Sequence, residues 1–395
     1  MTRSQWNLLT RLLRYEQIRD QPEGQIMKSI LVIGARGIPD VIGGVEKNAE
    51  RLFPLIAGRG WKVCIAGWKP FVRDLQYQGV SLWCAPMPRF LRTSVLLYSI
   101  LTLFKAIRKR PDLVHFAGLE SAILLWAYKL MGCKIVVRLG ADCHHRPWSR
   151  SAKWVMRCAQ FQLRWANNII AVTPALASKL RSVGITQNIH VIGNGVDPSE
   201  NFPDASRSPI SGDYILFVGQ ISQQKNIHGL IAAFLVFVKS HPHMKLVIAG
   251  DWDKDSGRKQ IEALDDKRIV ILGSVPRPQL TPLYCGARFF INPSIREGHS
   301  NTLLEAIGFD CPVLLSDLPE NRDLRLNAKH YFRPGDVRSM VSALNRANAN
   351  PDLFRVDPGR FPQWEEIADL TIGVYDRLFA SEAAKLNSRH KTSRI

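Results

Sequence analysis

Short apolar runs, each leading through a loop to a helical pattern, repeat along this chain, stop once, and then resume. Runs of this length that are apolar at nearly every position read as strands buried on both faces of a parallel sheet. In the first series they are Ile30–Ile33, Val63–Ala66, Leu113–Phe116, Ile135–Leu139, Ile169–Val172 and His190–Ile192. Helical periodicity is expected near Val45–Ala57, Val95–Arg108, Ser121–Leu130, Ala152–Ala166 and Ala175–Val183. Such alternation argues for a doubly wound α/β domain. Asp197 to Gly212 (DPSENFPDASRSPISG) has no apolar period and is rich in Pro, Ser and Asp, as a linker would be. The pattern then restarts with strands Tyr214–Val218, Lys245–Ala249, Ile269–Leu272, Phe289–Ile291 and Pro312–Leu315 and helices Ile227–Val238 and Thr302–Gly308. A late helix from Trp364 to about Phe379 closes the series before a polar basic tail. The expected organisation is an extension over 1–26, one α/β domain over 27–196, the linker 197–212, a second α/β domain over 213–363, the closing helix 364–380 and the tail 381–395. Two such domains are expected to face across a cleft, with ligands at the carboxyl ends of parallel strands.

Composition excludes several alternatives. With 46% hydrophobic and 22% charged residues in 395, the chain has ample material for cores and is not a disordered one. Its seven cysteines are scattered, without a C-x-x-C pair or a Cys/His box, as in a reduced, cytosolic chain without structural zinc. The longest apolar run, Val95 to Phe104, ends at Lys105 and falls short of the about 18 residues of a membrane span. It can be a buried helix or an element that dips into a surface. In the extension, Trp6, Leu8, Leu9, Leu12 and Leu13 alternate with arginines, as in a short amphipathic helix touching a membrane, a loosely packed appendage, or an upstream start. The net charge is +19, and from Arg89 to Arg181 sixteen basic residues face only Asp112, Glu120 and Asp142, a local net of +13. Such a stretch suits anionic headgroups, a phosphorylated substrate or nucleic acid, or is simply a solvated basic face. No nucleic-acid module accompanies it.

The loops carry the chemistry. Gly34 to Glu46 (GARGIPDVIGGVE) fits neither a dinucleotide fingerprint nor a P-loop, but Gly43-Gly44 directly precede a helix, where free N–H groups can receive a diphosphate. A tight turn is the plainer reading of the same pair. In the second domain, strand Tyr214–Val218 ends in Gly219, and Lys225-Asn226 stand before the next helix, where a lysine can reach phosphate oxygens. The segment Arg296-Glu-Gly-His-Ser-Asn-Thr-Leu-Leu-Glu305 leaves a strand and enters a helix. Glu297 in the loop can accept hydrogen bonds from sugar hydroxyls, Gly298 to Thr302 offer small residues at a helix start, and Glu305 is expected in the first helical turn. A helix with an acidic first turn would look similar.

Together these residues resemble the retaining GT-B glycosyltransferases of glycosyltransferase family 4, from about Met27 to Phe379. The resemblance rests on Glu297-x7-Glu305 within PSIREGHSNTLLEAIGFDCPVLLSDLPEN, supported by GGVEKNAERLFPLIAGRGWKV, DLVHF, VIGNGVD, FVGQISQQKN and LVIAGD. It implies two Rossmann-like domains, an acceptor domain followed by a nucleotide-sugar donor domain. It implies that Lys225 and Glu297 are the catalytic pair, Lys225 neutralising the leaving diphosphate and Glu297 touching the transferred sugar. Gly219, Gly298, His299, Ser300, Asn301 and Thr302 would line the donor, Glu305 would hold the ribose, and Gly43-Gly44 would close over the phosphates. No metal or cofactor is implied, and the donor would be a UDP-sugar or a GDP-sugar. The acceptor would be a lipid-linked saccharide at an anionic membrane surface, the enzyme lying peripherally on the cytoplasmic face, with no role for nucleic acid. His115 matches a histidine frequent at the end of a strand in this domain and would line the acceptor side or sit in the core, and Asp142 or His144 falls near where relatives carry a histidine. Gln220 and Gln224 stand where the family usually has Arg and Glu, so a non-catalytic sugar-nucleotide or polysaccharide-assembly binding protein is the alternative. Asp251-Trp252-Asp253 has the form of a metal-binding D-x-D, but its place after a strand makes it a loop.

Overall fold

The computed structural model describes residues 27–88, 95–140, 150–185, 188–197, 208–253 and 257–392. The extension over 1–26, most of the linker, Asp142 and His144 lie outside the described residues. The chain forms two compact units, one of residues 1–138, 147–169 and 368–395 and one of residues 139–146 and 170–367.

The aliphatic run Ser29–Ile33 forms β1, flanked in parallel by β2 (Lys62–Trp68) and β5 (Leu113–Ala117). Val32 lies opposite Ile65 on one side and His115 on the other. Strands β3 (Gln76–Tyr77) and β4 (Val80–Ala85) make an antiparallel hairpin that the sequence pattern does not reveal. Its turn residues, Gln78 and Gly79, both have positive φ, the geometry of a tight hairpin, but Gln-Gly is not a strong turn signal. With β6 (Lys134–Leu139), β7 (Asn168–Ala171) and β8 (Asn188–Val191), these strands form an eight-stranded sheet in the order β3-β4-β2-β1-β5-β6-β7-β8.

The second sheet is parallel throughout. It consists of β9 (Tyr214–Val218), β10 (Lys245–Ala249), β11 (Ile269–Gly273), β12 (Phe289–Asn292), β13 (Val313–Ser316) and β14 (Tyr331–Phe332) in the order β11-β10-β9-β12-β13-β14. Alternate residues serve opposite faces: Phe217, Ile248 and Phe289 enter one core, while Tyr214, Leu216 and Phe290 enter the other. The chain winds outward from β9 in one direction through β10 and β11, then returns to add β12 on the other side. That reversal defines the switch point at which sheets of this kind take ligands.

Helices Arg277–Gly286 and Val337–Ala349 were not expected from the sequence, the first because Pro278 and Pro282 interrupt its helical pattern. The expected helix over Ser121–Leu130 is shorter, Leu125–Leu130. The closing helix, Trp364–Thr392, runs past its expected end near Phe379, because the following residues include neither Gly nor Pro. Trp364 is buried in the second unit, and from Ala368 onward the helix belongs to the first. There Tyr375 meets Trp61 and His115 edge to face. Both α/β sheets expected from the sequence are therefore present.

Candidate active site

The carboxyl ends of β9, β10 and β12 converge on one region of the second unit. Gly219 follows β9 with φ of 153°, and its N–H donates to the Ala249 carbonyl at 2.9 Å. Beside it Gly250, φ 159°, follows β10, and a Cβ at Gly250 would stand 1.8 Å from the Gly219 oxygen. Only glycine fits so close a backbone approach, and the two positions leave the strand ends bare of side chains. Asp251, Trp252 and Asp253 form the adjoining loop, which Ile221 pins by accepting from the Asp253 N–H at 2.9 Å and donating to the Asp251 carbonyl at 2.8 Å. Among the described residues no group of three His, Cys, Asp or Glu side chains is placed to hold a metal.

Lys225 lies in the turn that leads to helix Ile227–Phe237, whose N-cap Asn226 is left-handed at φ 54°. Its ammonium donates to both oxygens of Glu297, at 2.8 and 2.6 Å. The side chains of this pair are 23% and 6% exposed, so the carboxylate is almost wholly enclosed and the ammonium partly wetted. Two further bonds join the same loops: the Ile295 N–H donates to the Gln224 carbonyl at 3.0 Å, and the Gln224 side-chain amide donates to the Arg296 carbonyl at 3.3 Å. Gln220 is exposed.

Beyond Glu297 the chain passes Gly298 and His299 to Ser300, which caps helix Asn301–Gly308 by accepting from the Leu303 N–H at 3.4 Å. Thr302 adds a hydroxyl 3.3 Å from that of Ser300. His299 is clamped from behind. Its Nδ1 accepts from the Asn194 N–H at 2.8 Å, and its carbonyl accepts from the Asn194 side-chain amide at 3.1 Å. Because Nδ1 is an acceptor, the neutral ring carries its proton on Nε2. A Cβ at Gly193 would lie 2.8 Å from the ring, which explains the glycine before Asn194.

Glu305 is the fifth residue of its helix, one position further in than expected, because the helix begins at Asn301 rather than Thr302. It accepts from the Tyr284 hydroxyl at 2.8 Å. Tyr284 is 1% exposed and stacks on Phe309, and burial pushes its phenol far up, so it stays a hydrogen-bond donor at any ordinary pH. Neither Tyr284 nor Asn194 is among the sequence-predicted site residues. Asn194 lies within the quoted VIGNGVD, and its glycine neighbours were the available signal; Tyr284 lies too far from Glu305 in sequence to carry one.

The second unit thus holds Gly219, Lys225, Glu297, Gly298, His299, Ser300, Asn301, Thr302 and Glu305, with Lys225 and Glu297 in direct contact. Gly43 and Gly44 belong to the first unit, at the start of helix Gly44–Gly58, where Glu46 accepts from Arg36 Nε at 2.7 Å. His115 is fully buried there, with Nδ1 2.7 Å from the Tyr375 hydroxyl and its ring edge to face with Phe53. Burial, and after it the charge of Arg138, pushes the imidazole down to about 3. A side chain with no exposed surface has none to offer an acceptor, and the core reading of His115 replaces the acceptor-side one.

Family models match both parts of the chain. Residues 42–200 match the model described as Glycosyltransferase Family 4, and residues 212–350 match that of Glycosyl transferases group 1. The chain is a GT-B glycosyltransferase related to glycosyltransferase family 4. It is 25% identical over 377 residues to the phosphatidylinositol N-acetylglucosaminyltransferase gpi3 subunit of Schizosaccharomyces pombe, covering 88% of this chain and 81% of that one. It is 26% identical over 220 residues to the GDP-mannose:cellobiosyl-diphosphopolyprenol alpha-mannosyltransferase of Xanthomonas oryzae, covering 53% and 57%. Among solved structures, the sucrose-phosphate synthase of Thermosynechococcus elongatus superposes with a TM-score of 0.74 at 19% identity, covering 90% of this chain and all of that one, and so shares its fold. The protein is an enzyme that transfers a sugar from a nucleoside-diphosphate donor in polysaccharide biosynthesis.

Proposed function

We propose that this enzyme moves a hexose from a UDP- or GDP-sugar to a lipid-linked saccharide, with retention of anomeric configuration, while lying peripherally on an anionic membrane surface. One observation carries the donor half of this reading. Lys225 and Glu297 meet at the carboxyl ends of neighbouring strands β9 and β12, directly before the start of helix Asn301–Gly308. A departing nucleoside diphosphate gains negative charge, and an ammonium beside a helix N-terminus stabilises it without reorganising solvent. Glu297 supplies a fixed acceptor for the hydroxyls of the transferred sugar, and Glu305, oriented by Tyr284, supplies another for the ribose. The acceptor half draws on the relatives: both the phosphatidylinositol and the diphosphopolyprenol enzymes are named for lipid-borne acceptors.

Melting curves with UDP, GDP, dTDP, ADP and NAD added separately test the donor site. A ligand at ~100 times its dissociation constant stabilises by about 2.7 kcal/mol. A shift with one nucleoside diphosphate that Glu305→Ala abolishes is the expected result, and no shift with any of them would refute the donor assignment. Turnover of the matching sugar nucleotide with a polyprenyl-diphosphate saccharide, and the anomeric configuration of the product by NMR, then test acceptor and stereochemistry.

A further inference from the structure

The helix Val95–Lys109 in the first unit turns hydroxylated residues to the core and leaves several large apolar ones exposed. The residues it buries are Tyr98, Ser99, Thr102 and Ala106, three of them hydroxylated. Each hydroxyl is satisfied within the core: Tyr98 donates to the Ala66 carbonyl at 2.6 Å, Ser99 to Val95 at 2.8 Å, and Thr102 to Ser99 at 2.9 Å. Outward, in contrast, it presents Leu96, Ile100, Phe104 and Ile107, which are 54%, 37%, 60% and 49% exposed. These positions follow the helical repeat and form one apolar stripe.

The stripe has neighbours of the same kind. Helix Leu125–Leu130 joins it through the Tyr128 hydroxyl, 3.1 Å from that of Thr102, and helix Arg150–Gln162 joins in turn through Gln162, which accepts from the Trp126 N–H at 3.3 Å. The three helices connect β4 to β5, β5 to β6 and β6 to β7, so right-handed crossovers place them on one face of the sheet. On the second helix Trp126 is 45% and Leu130 80% exposed, and on the third Trp154 is 65% and Phe161 52% exposed. Nine of the twenty large exposed apolar side chains among the described residues stand on these three helices. Scattered singly such residues mean little, but a concentration on one layer marks an interaction surface.

The charge on that layer selects the partner. None of the three helices contains an Asp or a Glu, whereas Arg108, Lys109, Lys129 and Arg157 are exposed on them. Another copy of so basic a surface would be repelled, and the aliphatic stripe offers nothing to a nucleic-acid phosphate. Exposed indoles and aliphatics interleaved with basic side chains match a bilayer interface with anionic headgroups. We propose that this three-helix layer is the face by which the enzyme docks on an anionic bilayer. The apolar stripe of Val95–Lys109 enters the headgroup boundary, and Arg108, Lys109, Lys129 and Arg157 hold lipid phosphates. This goes beyond the membrane-bound acceptor proposed above, on whose setting it rests, by naming a surface that combines insertion with charge.

Co-sedimentation of the full chain with phosphatidylcholine vesicles, with and without phosphatidylglycerol, tests it at low and high salt. The unmodified protein is expected to bind anionic vesicles and to keep part of that binding at high salt, because insertion is not screened. Phe104→Gln with Ile107→Gln should lower partitioning at least about tenfold at both salt concentrations. Arg108→Gln with Lys109→Gln should lower it about fivefold for each charge removed, at low salt only. Unchanged circular dichroism and melting temperature confirm folding of these surface variants. Equal binding to neutral and anionic vesicles, or unaltered partitioning of both variants, overturns the proposal. So does loss of a concentration-dependent dimer, or of RNA binding, in place of vesicle binding. Melting shifts with nucleoside diphosphates separate the two readings. Vesicle binding without any such shift refutes the donor site and leaves the docking face standing, and the opposite pattern refutes the face alone.

Discussion

Replacing Glu297 with Gln should tighten binding of the nucleoside diphosphate while abolishing turnover. The Lys225 ammonium lies 2.6 and 2.8 Å from the two carboxylate oxygens, so the cation assigned to the leaving group is already engaged. At ~4 Å and an effective dielectric of about 20, the gross attraction of such a pair is about 4 kcal/mol. With Lys225 at 23% exposure, solvent sharing and the desolvation of both groups reduce its net worth to about 1–2 kcal/mol. An incoming diphosphate must draw Lys225 partly away from this carboxylate and then sit beside its negative charge. Removing that charge therefore strengthens UDP or GDP binding by roughly 5–30-fold. Lys225→Met acts in the opposite direction, because it removes the cation and leaves a carboxylate of 6% exposure without it. Isothermal titration of the two single variants and the double variant measures both effects, and product formation from the sugar nucleotide reads turnover. If Glu297→Gln weakens nucleotide binding as strongly as Lys225→Met does, the carboxylate holds the nucleotide rather than competing with it, and the reasoning fails.

Tyr284→Phe removes the hydroxyl that Glu305 accepts at 2.8 Å, which should weaken binding of ribonucleoside diphosphates by about 1 kcal/mol and leave 2′,3′-dideoxy analogues unaffected. Equal losses for both ligands would place Glu305 away from the ribose. Buried His115, held at about 3 in the fold against 6.5 when unfolded, lends stability in full above 6.5 and loses it as the pH falls toward 3, by up to about 1.4 kcal/mol per pH unit. Urea denaturation between neutral and mildly acid pH should show that slope flattened in His115→Gln, and an identical slope would mean that other groups set it. Gly193→Ala would put a Cβ 2.8 Å from the His299 ring, so turnover should fall at least tenfold on the order of a displaced active-site group, with the nucleotide melting shift retained.

What the sequence made legible was whatever chemistry is local. Strands β1, β5 and β9 are short, mostly apolar runs between loops, too short for a helix of ordinary length. Lys225 and the segment from Glu297 to Glu305 each lie where a strand gives way to a helix, so their place at the strand ends follows from the alternation itself. The illegible parts depend on partners far away in the chain. Asn194 reaches His299 across 105 residues, and Tyr375 reaches His115 across 260. The helix Val95–Lys109 shows how periodicity can be read correctly while its direction stays open between core and surface. Its apolar residues repeat as a buried face would, yet the core takes the hydroxylated side, where Tyr98 donates to the Ala66 carbonyl and Ser99 and Thr102 return their hydroxyls to carbonyls of their own helix.

Gln224 shows why a departure from the family pattern need not mean a weakened site. A glutamate is usual there, and from sequence its replacement next to Lys225 suggests a poorer donor site. In the structure the Gln224 side chain donates from its amide nitrogen to the Arg296 carbonyl, one residue before Glu297. A carboxylate has no hydrogen to give and would set an acceptor against an acceptor at that point. It would also add a second negative charge near Lys225, which already serves Glu297 through both carboxylate oxygens. The amide therefore does two things in this chain. It ties the Lys225 turn to the Glu297 loop, together with the Ile295 N–H to Gln224 carbonyl bond at 3.0 Å, and it leaves Lys225 with one resident counter-charge rather than two. A lysine neutralised once can be shared with an arriving diphosphate more readily than one neutralised twice, so the glutamine is compatible with leaving-group stabilisation by Lys225.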